Sequence, residues 1–188
     1  AESAVLSTSV VALVILGMLV GIHTTRQKSF KQGLGRGFVS WIPLMMVVGW
    51  VYGIMGYTGY QINAQTVTIG ALSLGLGVDY AVHFSIRLEE EVEHNPFVTQ
   101  DVWVTNASAT TGRAMFGAAL TTAGGFSVLN LSALLPLRLF GQAFVVAITL
   151  ALLSSLILLP AFYNSFLKRD AAKYSLLSND ISENPEAE

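Results

Sequence analysis

The sequence predicts an all-α membrane protein with five transmembrane helices. Composition is the first reason: 53% of the 188 residues are hydrophobic and only 12% are charged, against about 25% charged in an ordinary soluble domain. The second is arrangement. The apolar residues gather into five stretches, 5–22, 38–57, 66–84, 115–135 and 139–163, each near the roughly 20 residues that cross a bilayer. The third is the uneven charge of the links between them.

The first stretch is not read as a signal peptide, because Ala1 and Glu2 offer no basic segment ahead of it. The chain opens on Ala1 rather than Met, so it is expected to be processed or cut from something longer. The link after it, 23–37, carries Arg26, Lys28, Lys31 and Arg36, and the second stretch contains Pro43, tolerated within a span. Residues 58–65 hold no Lys or Arg. The third stretch contains Asp79, the only acid within the five.

Beyond it come Glu89, Glu90, Glu91 and Glu93, and then a break at His94-Asn-Pro96. The acidic run reads as a solvated helix end rather than a cation site, since no other acid converges on it. Val98, Val102, Thr105 and Ala109 share one helical face, which predicts a short interfacial helix over about 98–111. The fourth stretch carries Thr121, Thr122, Gly124 and Gly125, with Asn130 and Ser132 towards its end; the fifth contains Pro160. Residues 1–168 form the five-span domain. Polar, acidic and proline-containing, 169–188 is expected to be a disordered cytoplasmic tail.

Links must alternate sides across five spans. Nine of the ten basic residues then fall on one side and Arg138 alone on the other. The positive-inside rule makes the richer side the cytoplasm, with the N-terminus exoplasmic and the C-terminus cytoplasmic. There are no cysteines, which excludes disulfides and thiolate metal sites, and a net charge of −2 argues against a nucleic-acid partner. His23, His83 and His94 are scattered, and no phosphate loop, Ser-His-Asp set or zinc-ligand cluster occurs. No enzyme, metal site or bound cofactor is expected.

Asp79 is the candidate functional residue. A carboxylate at mid-span costs about 2.5–3.5 kcal/mol on translocon scales and defaults to a proton or ion site facing protein or water. Gly70, Gly75 and Gly77 precede it, and Ala71 and Gly75 lie on its own stripe at i−8 and i−4, letting another helix approach closely. The stripe continues through His83 to Arg87, a polar file of about 12 Å. Plainer readings stand beside this one. Arg87 is an interface anchor, His83 a polar residue reaching the same interface, Tyr80 a packing residue and Asp79 a helix–helix hydrogen-bond group. Thr121 and Thr122 could face Asp79 or simply bond their own backbone.

Gly75-Leu-Gly-Val-Asp-Tyr80 with His83-Phe and Arg87, followed by Ala118-Ala-Leu-Thr-Thr-Ala-Gly-Gly-Phe126, resembles the resistance–nodulation–division (RND) superfamily. The branch is that of the MMPL-like lipid exporters, related to Patched and sterol-sensing-domain proteins. The five stretches resemble spans two to six of one half of such a transporter. The resemblance implies a proton-motive-force-driven exporter of hydrophobic or lipid-like substrates. Asp79, Tyr80, His83 and Thr122 would then couple protons, the only coupling ion, and Gly70, Gly75, Gly77, Gly124 and Gly125 would pack helices. It also implies a prokaryotic inner membrane, and partners in the bilayer, a porter domain and the other half. The chain would be a piece of the C-terminal half. The alternative is a sterol-sensing-like module that binds lipid and regulates without transport.

Overall fold

The computed structural model describes residues 2–27, 30–60, 64–164, 166–168 and 171–172. Among these there is no strand. The elements are α1 (Glu2–Gln27), α2 (Phe30–Tyr57), α3 (Ala64–His94), α4 (Gln100–Ala107), α5 (Arg113–Ser127) and α6 (Leu135–Leu153). Five stretches of helix are long and apolar enough to cross a membrane: Thr8–Arg26, Gly33–Tyr57, Thr68–His94, Gln100–Leu131 and Leu135–Asn164. The chain is an all-α membrane protein. Of the tail expected over 169–188, only Ala171 and Ala172 are described, both helical; the remainder lies outside the described residues.

The helices outrun the apolar stretches that announce them. α1 continues past Ile22 to Gln27, α2 begins at Phe30 rather than Phe38, and α3 continues past Phe84 to His94. Hydropathy marks where a helix meets hydrocarbon, while backbone hydrogen bonding carries the same helix on through polar residues. His23, Arg26 and Arg36 therefore sit on helices rather than in a loop.

α1 and α2 form a tight hairpin because of Gly33 and Gly37. A methyl group on Gly33 would lie 2.5 Å from Thr24 Cα, and one on Gly37 2.8 Å from the backbone of Val20. Only glycine permits that approach, and in lipid close backbone packing is a main source of helix association. Farther along, Trp41 Nε1 donates to Ala12 O at 3.0 Å. α2 ends in a Schellman turn: Tyr60 N donates to Met55 O (2.9 Å) and Gly59 N to Gly56 O (3.3 Å), with Gly59 at φ 74°.

α3 is the centre of the bundle. Leu74, Val78, Ala81, Ser85, Leu88 and Val92 are all buried, a four–three alternation that keeps one seam facing inward over five turns. Against it α6 sets Ala143, Phe144, Ala147, Ile148, Ala151 and Leu152. Pro136 lies in the first turn of α6, where its missing N–H costs nothing. Ser154 Oγ donates to Pro43 O at 3.1 Å, pinning α2 to the fifth span.

The helix expected over 98–111 is continuous with the fourth span. α4, a π-helical turn (Ser108–Gly112), α5 and a 3₁₀ turn (Val128–Leu131) run on without a break. Trp103 and Ala107 pack inward, and Trp103 Nε1 donates to Asn95 O at 2.8 Å. Val98, Val102, Thr105 and Ala109, the face singled out from the sequence, are on the exposed side. α5 packs on α6 and not along α3. Met115 and Ala119 are buried, Phe126 lies 3.9 Å (ring centroids) from Phe144, and Phe116 and Leu120 face outward.

Candidate functional site

The seam that buries one side of α3 exposes the other, and Asp79 is on the exposed side. Leu72, Gly75, Asp79 and His83 are exposed in succession, at the three- and four-residue spacing of a single helical face. Asp79 makes no hydrogen bond or ion pair among the described residues. His83 lies one turn farther along the same face, about 6 Å by helical rise. No hydrogen bond joins it to Asp79 among the described residues.

Tyr80 points elsewhere. Successive helical residues diverge by about 100°, and Tyr80 is buried in the core, 7% exposed. Thr122 is half-buried and donates to its own helix, Oγ1 to Ala118 O at 2.9 Å; Thr121 does the same to Gly117 O at 2.9 Å. Asp79 and His83 thus share a face, while among the described residues no hydrogen bond joins Tyr80 or Thr122 to them.

The glycines divide in the same way. Gly70 lies against the Tyr52 hydroxyl and Gly77 against Leu44 of α2. Gly75, Gly124 and Gly125 have open space where a side chain would stand. Arg87 is neither free in an interface nor part of a file with Asp79. It pairs with Glu91 and Glu90 one turn on, and its Nε donates to Thr110 Oγ1 at 3.3 Å.

The acidic run, expected to be solvated, is the largest departure. Glu89 is 5% exposed, and one of its oxygens collects groups from three other spans. Arg36 Nη1 of α2 donates to Oε1 at 2.8 Å, the Tyr163 hydroxyl of the fifth span at 2.9 Å, and His23 Nδ1 of α1 lies at 3.3 Å. Arg26 Nε approaches the other oxygen at 3.6 Å. Arg36, His23 and Tyr163 are fully buried. Glu91, also buried, serves the fourth span, accepting from Asn106 Nδ2 at 3.2 Å. Two carboxylates of α3 thereby tie all the other spans to it at one end. A signal was present in the sequence: Leu88 and Val92 extend the buried seam through the acidic run, so glutamates flanking it could not all be solvated. Their partners, in a stretch that reads as a loop, were not visible.

Among the described residues no group of three or more acidic, histidine or cysteine side chains is arranged to hold a metal. The site is one exposed carboxyl on the central helix of a bundle whose far end is locked by buried ion pairs.

Comparison with known proteins bears on that arrangement. The family model described as "MMPL family" matches residues 40–171. MJ1562 of Methanocaldococcus jannaschii, assigned as a membrane protein, is 32% identical over 120 residues, covering 64% of this chain and 30% of the relative. SCO6666 of Streptomyces coelicolor, also assigned as a membrane protein, is 33% identical over 132 residues, 66% of this chain and 18% of its own length. MmpL12 of Mycobacterium tuberculosis, assigned as a transport protein, is 33% identical over 104 residues, 55% of this chain and 9% of its own. The chain therefore spans less than a third of each of these relatives. No solved structure matches it.

Proposed function

The chain belongs to the MMPL family, and from that premise we propose that it forms transmembrane portion of a proton-motive-force-driven exporter of hydrophobic or lipid-like substrates. The observation that carries the proposal is Asp79, a carboxyl on the outward face of the central helix with no partner among the described residues. Hydrocarbon is a costly neighbour for it, so protein or water must cover that face in the working assembly. Gly75 on the same face leaves room for a covering helix to come close. The other half of a transporter is the natural cover.

Asp79 binds the coupling proton. Its neutral form suits an apolar contact and its charged form a polar one, so loading and unloading shift which packing against the covering helix is favoured. His83, on the same face and nearer the basic end, passes protons between Asp79 and that side. Tyr80 and Thr122 are lesser members that reach Asp79 only through a change of packing. The positive-inside rule favours the cytoplasm for the basic side, and the membrane we infer from the family is a prokaryotic inner membrane. A porter domain outside the membrane does the mechanical work.

Asp79→Asn in the intact protein is the test, with export followed against an imposed pH gradient. The expected result is loss of proton-linked export with membrane insertion unchanged; export at the wild-type rate would sink the coupling role. A second reading, a lipid-binding regulatory module without transport, is favoured by a notch of about 150 Å³ between α2 and α6, lined by Ile54, Met55, Thr58, Tyr60, Gln142 and Val146. The same variant separates the two readings, since lipid binding in that notch would be indifferent to residue 79 and to pH.

A further inference from the structure

We propose that the π-helical turn Ser108–Gly112 is a hinge in the fourth span, on which α5 moves relative to the Asp79 face of α3 while α4 stays fixed. The inference rests on the coupling reading only in naming Asp79 as the group that drives the motion.

The two ends of the fourth span are held very differently. On one side of the turn, α4 is held by Asn106 Nδ2 to Glu91 Oε2 of α3 (3.2 Å) and by Trp103 Nε1 to Asn95 O, the residue just past α3 (2.8 Å). On the other side, among the described residues, α5 packs chiefly on α6. Only 11% of the fourth span's apolar window is buried, against 56% for the third and fifth. A rigid rod would carry the anchorage of α4 into α5, and the π turn interrupts that rod at the point where the anchorage stops.

The turn is built to change. A π turn holds one residue more than the α-helical pattern, and such turns concentrate at functional sites. If the extra residue migrates along the helix, α5 is re-aimed about its axis by up to about 100° while intrahelical bonding is kept. The carbonyl of Asn106, two residues before the turn, accepts at 2.9 Å from a side-chain donor, Thr110 Oγ1. The same oxygen accepts from Arg87 Nε at 3.3 Å, so the turn is tethered to α3 two helical turns from Asp79. Gly112 closes the turn and meets Leu156, which lies inside the second π-helical turn, Ser154–Leu158, of the fifth span. The two irregular turns thus approach each other at Gly112 and Leu156.

This chain contains no cysteine, so paired spin labels can be placed within it in the full-length protein in liposomes, once any cysteine outside these residues is replaced. One pair, Leu72→Cys with Leu120→Cys, reports α3 against α5; a second, Leu34→Cys with Val102→Cys, reports α2 against α4. All four side chains are exposed. The hinge predicts a broader distance distribution for the first pair than for the second, and a shifted mean for the first pair alone when Asp79→Asn is added. Equally narrow distributions overturn the hinge whatever Asp79 does. A broad first pair that Asp79→Asn leaves in place overturns the link to the proton site. Loss of export in Asp79→Asn with narrow distances would remove the hinge and leave the coupling reading intact. Gly112→Ala, which stiffens the turn, should narrow the first pair; full recovery on adding Leu156→Ala would show crowding instead and overturn the assignment of the hinge to this turn.

Discussion

Glu89 shows how far one residue's role depends on what reaches it. Its carboxylate is buried with Arg36, and removing one member of such a pair strands the other charge in a dry site at a cost of about 3–5 kcal/mol. Glu89→Gln should therefore lower the unfolding midpoint of the detergent-solubilised protein sharply. The double replacement Arg36→Met with Glu89→Met should recover part of that loss, because neither charge of the pair is then left buried without the other. Tyr163→Phe removes a single hydroxyl donor at 2.9 Å and should cost about 1–3 kcal/mol. A double variant no more stable than Glu89→Gln alone would show that the pair is not the main term. Asp79 is the opposite case. Its cost in lipid was legible from its position in an apolar run, whereas the direction it faces was not. A helical stripe says which residues share a face, and only the neighbours decide whether that face looks in or out.

At the scale of the element, the small residues sort by what lies opposite them. Gly37 touches the backbone of Val20 and Gly33 that of Thr24, while Gly49 and Gly53 of the same helix meet nothing within 4 Å. Gly37→Ala should force α1 and α2 apart and destabilise by about 1–3 kcal/mol. Gly49→Ala should be neutral or mildly stabilising, as expected of an open helical glycine gaining a side chain. Equal thermal midpoints for the two variants would contradict the close approach. Neither Gly33 nor Gly37 stands out from the sequence, because the stretch around them is basic and reads as a loop. The fourth span teaches the same lesson. The apolar stretch read from the sequence begins only at Met115, yet the helix runs back through the polar residues of Ser108–Gly112 as a π turn.

For the molecule as a whole, the distribution of charge predicts an orientation. Arg26, Arg36, Arg87 and the acidic run meet at one end of the bundle, and Arg138 stands at the start of α6 towards the other. Impermeant maleimide applied to intact cells should label Leu131→Cys, 86% exposed. It should label Phe97→Cys, 70% exposed, only after the membrane is opened. The reverse pattern would invert the topology and place the buried ion cluster on the outer side, against the positive-inside rule.

The sequence by itself determined the class, the number of spans, the division of basic residues between the two sides and the presence of one costly carboxyl in the third span. These follow from local quantities: how apolar a 20-residue stretch is, and what a charge within it costs. Tertiary structure decided the rest. Glu89 meets Arg36 across 53 positions and Tyr163 across 74; the seam through Leu88 and Val92 says that some glutamate beside it is buried, and only the packed helices decide which one and against what. The rotation of α3 was settled by the fit of its buried seam to α6, which leaves Asp79 on the outward face. Burial is a property of the partners a residue finds, and partners far apart in the chain are brought together only by the packing of whole helices.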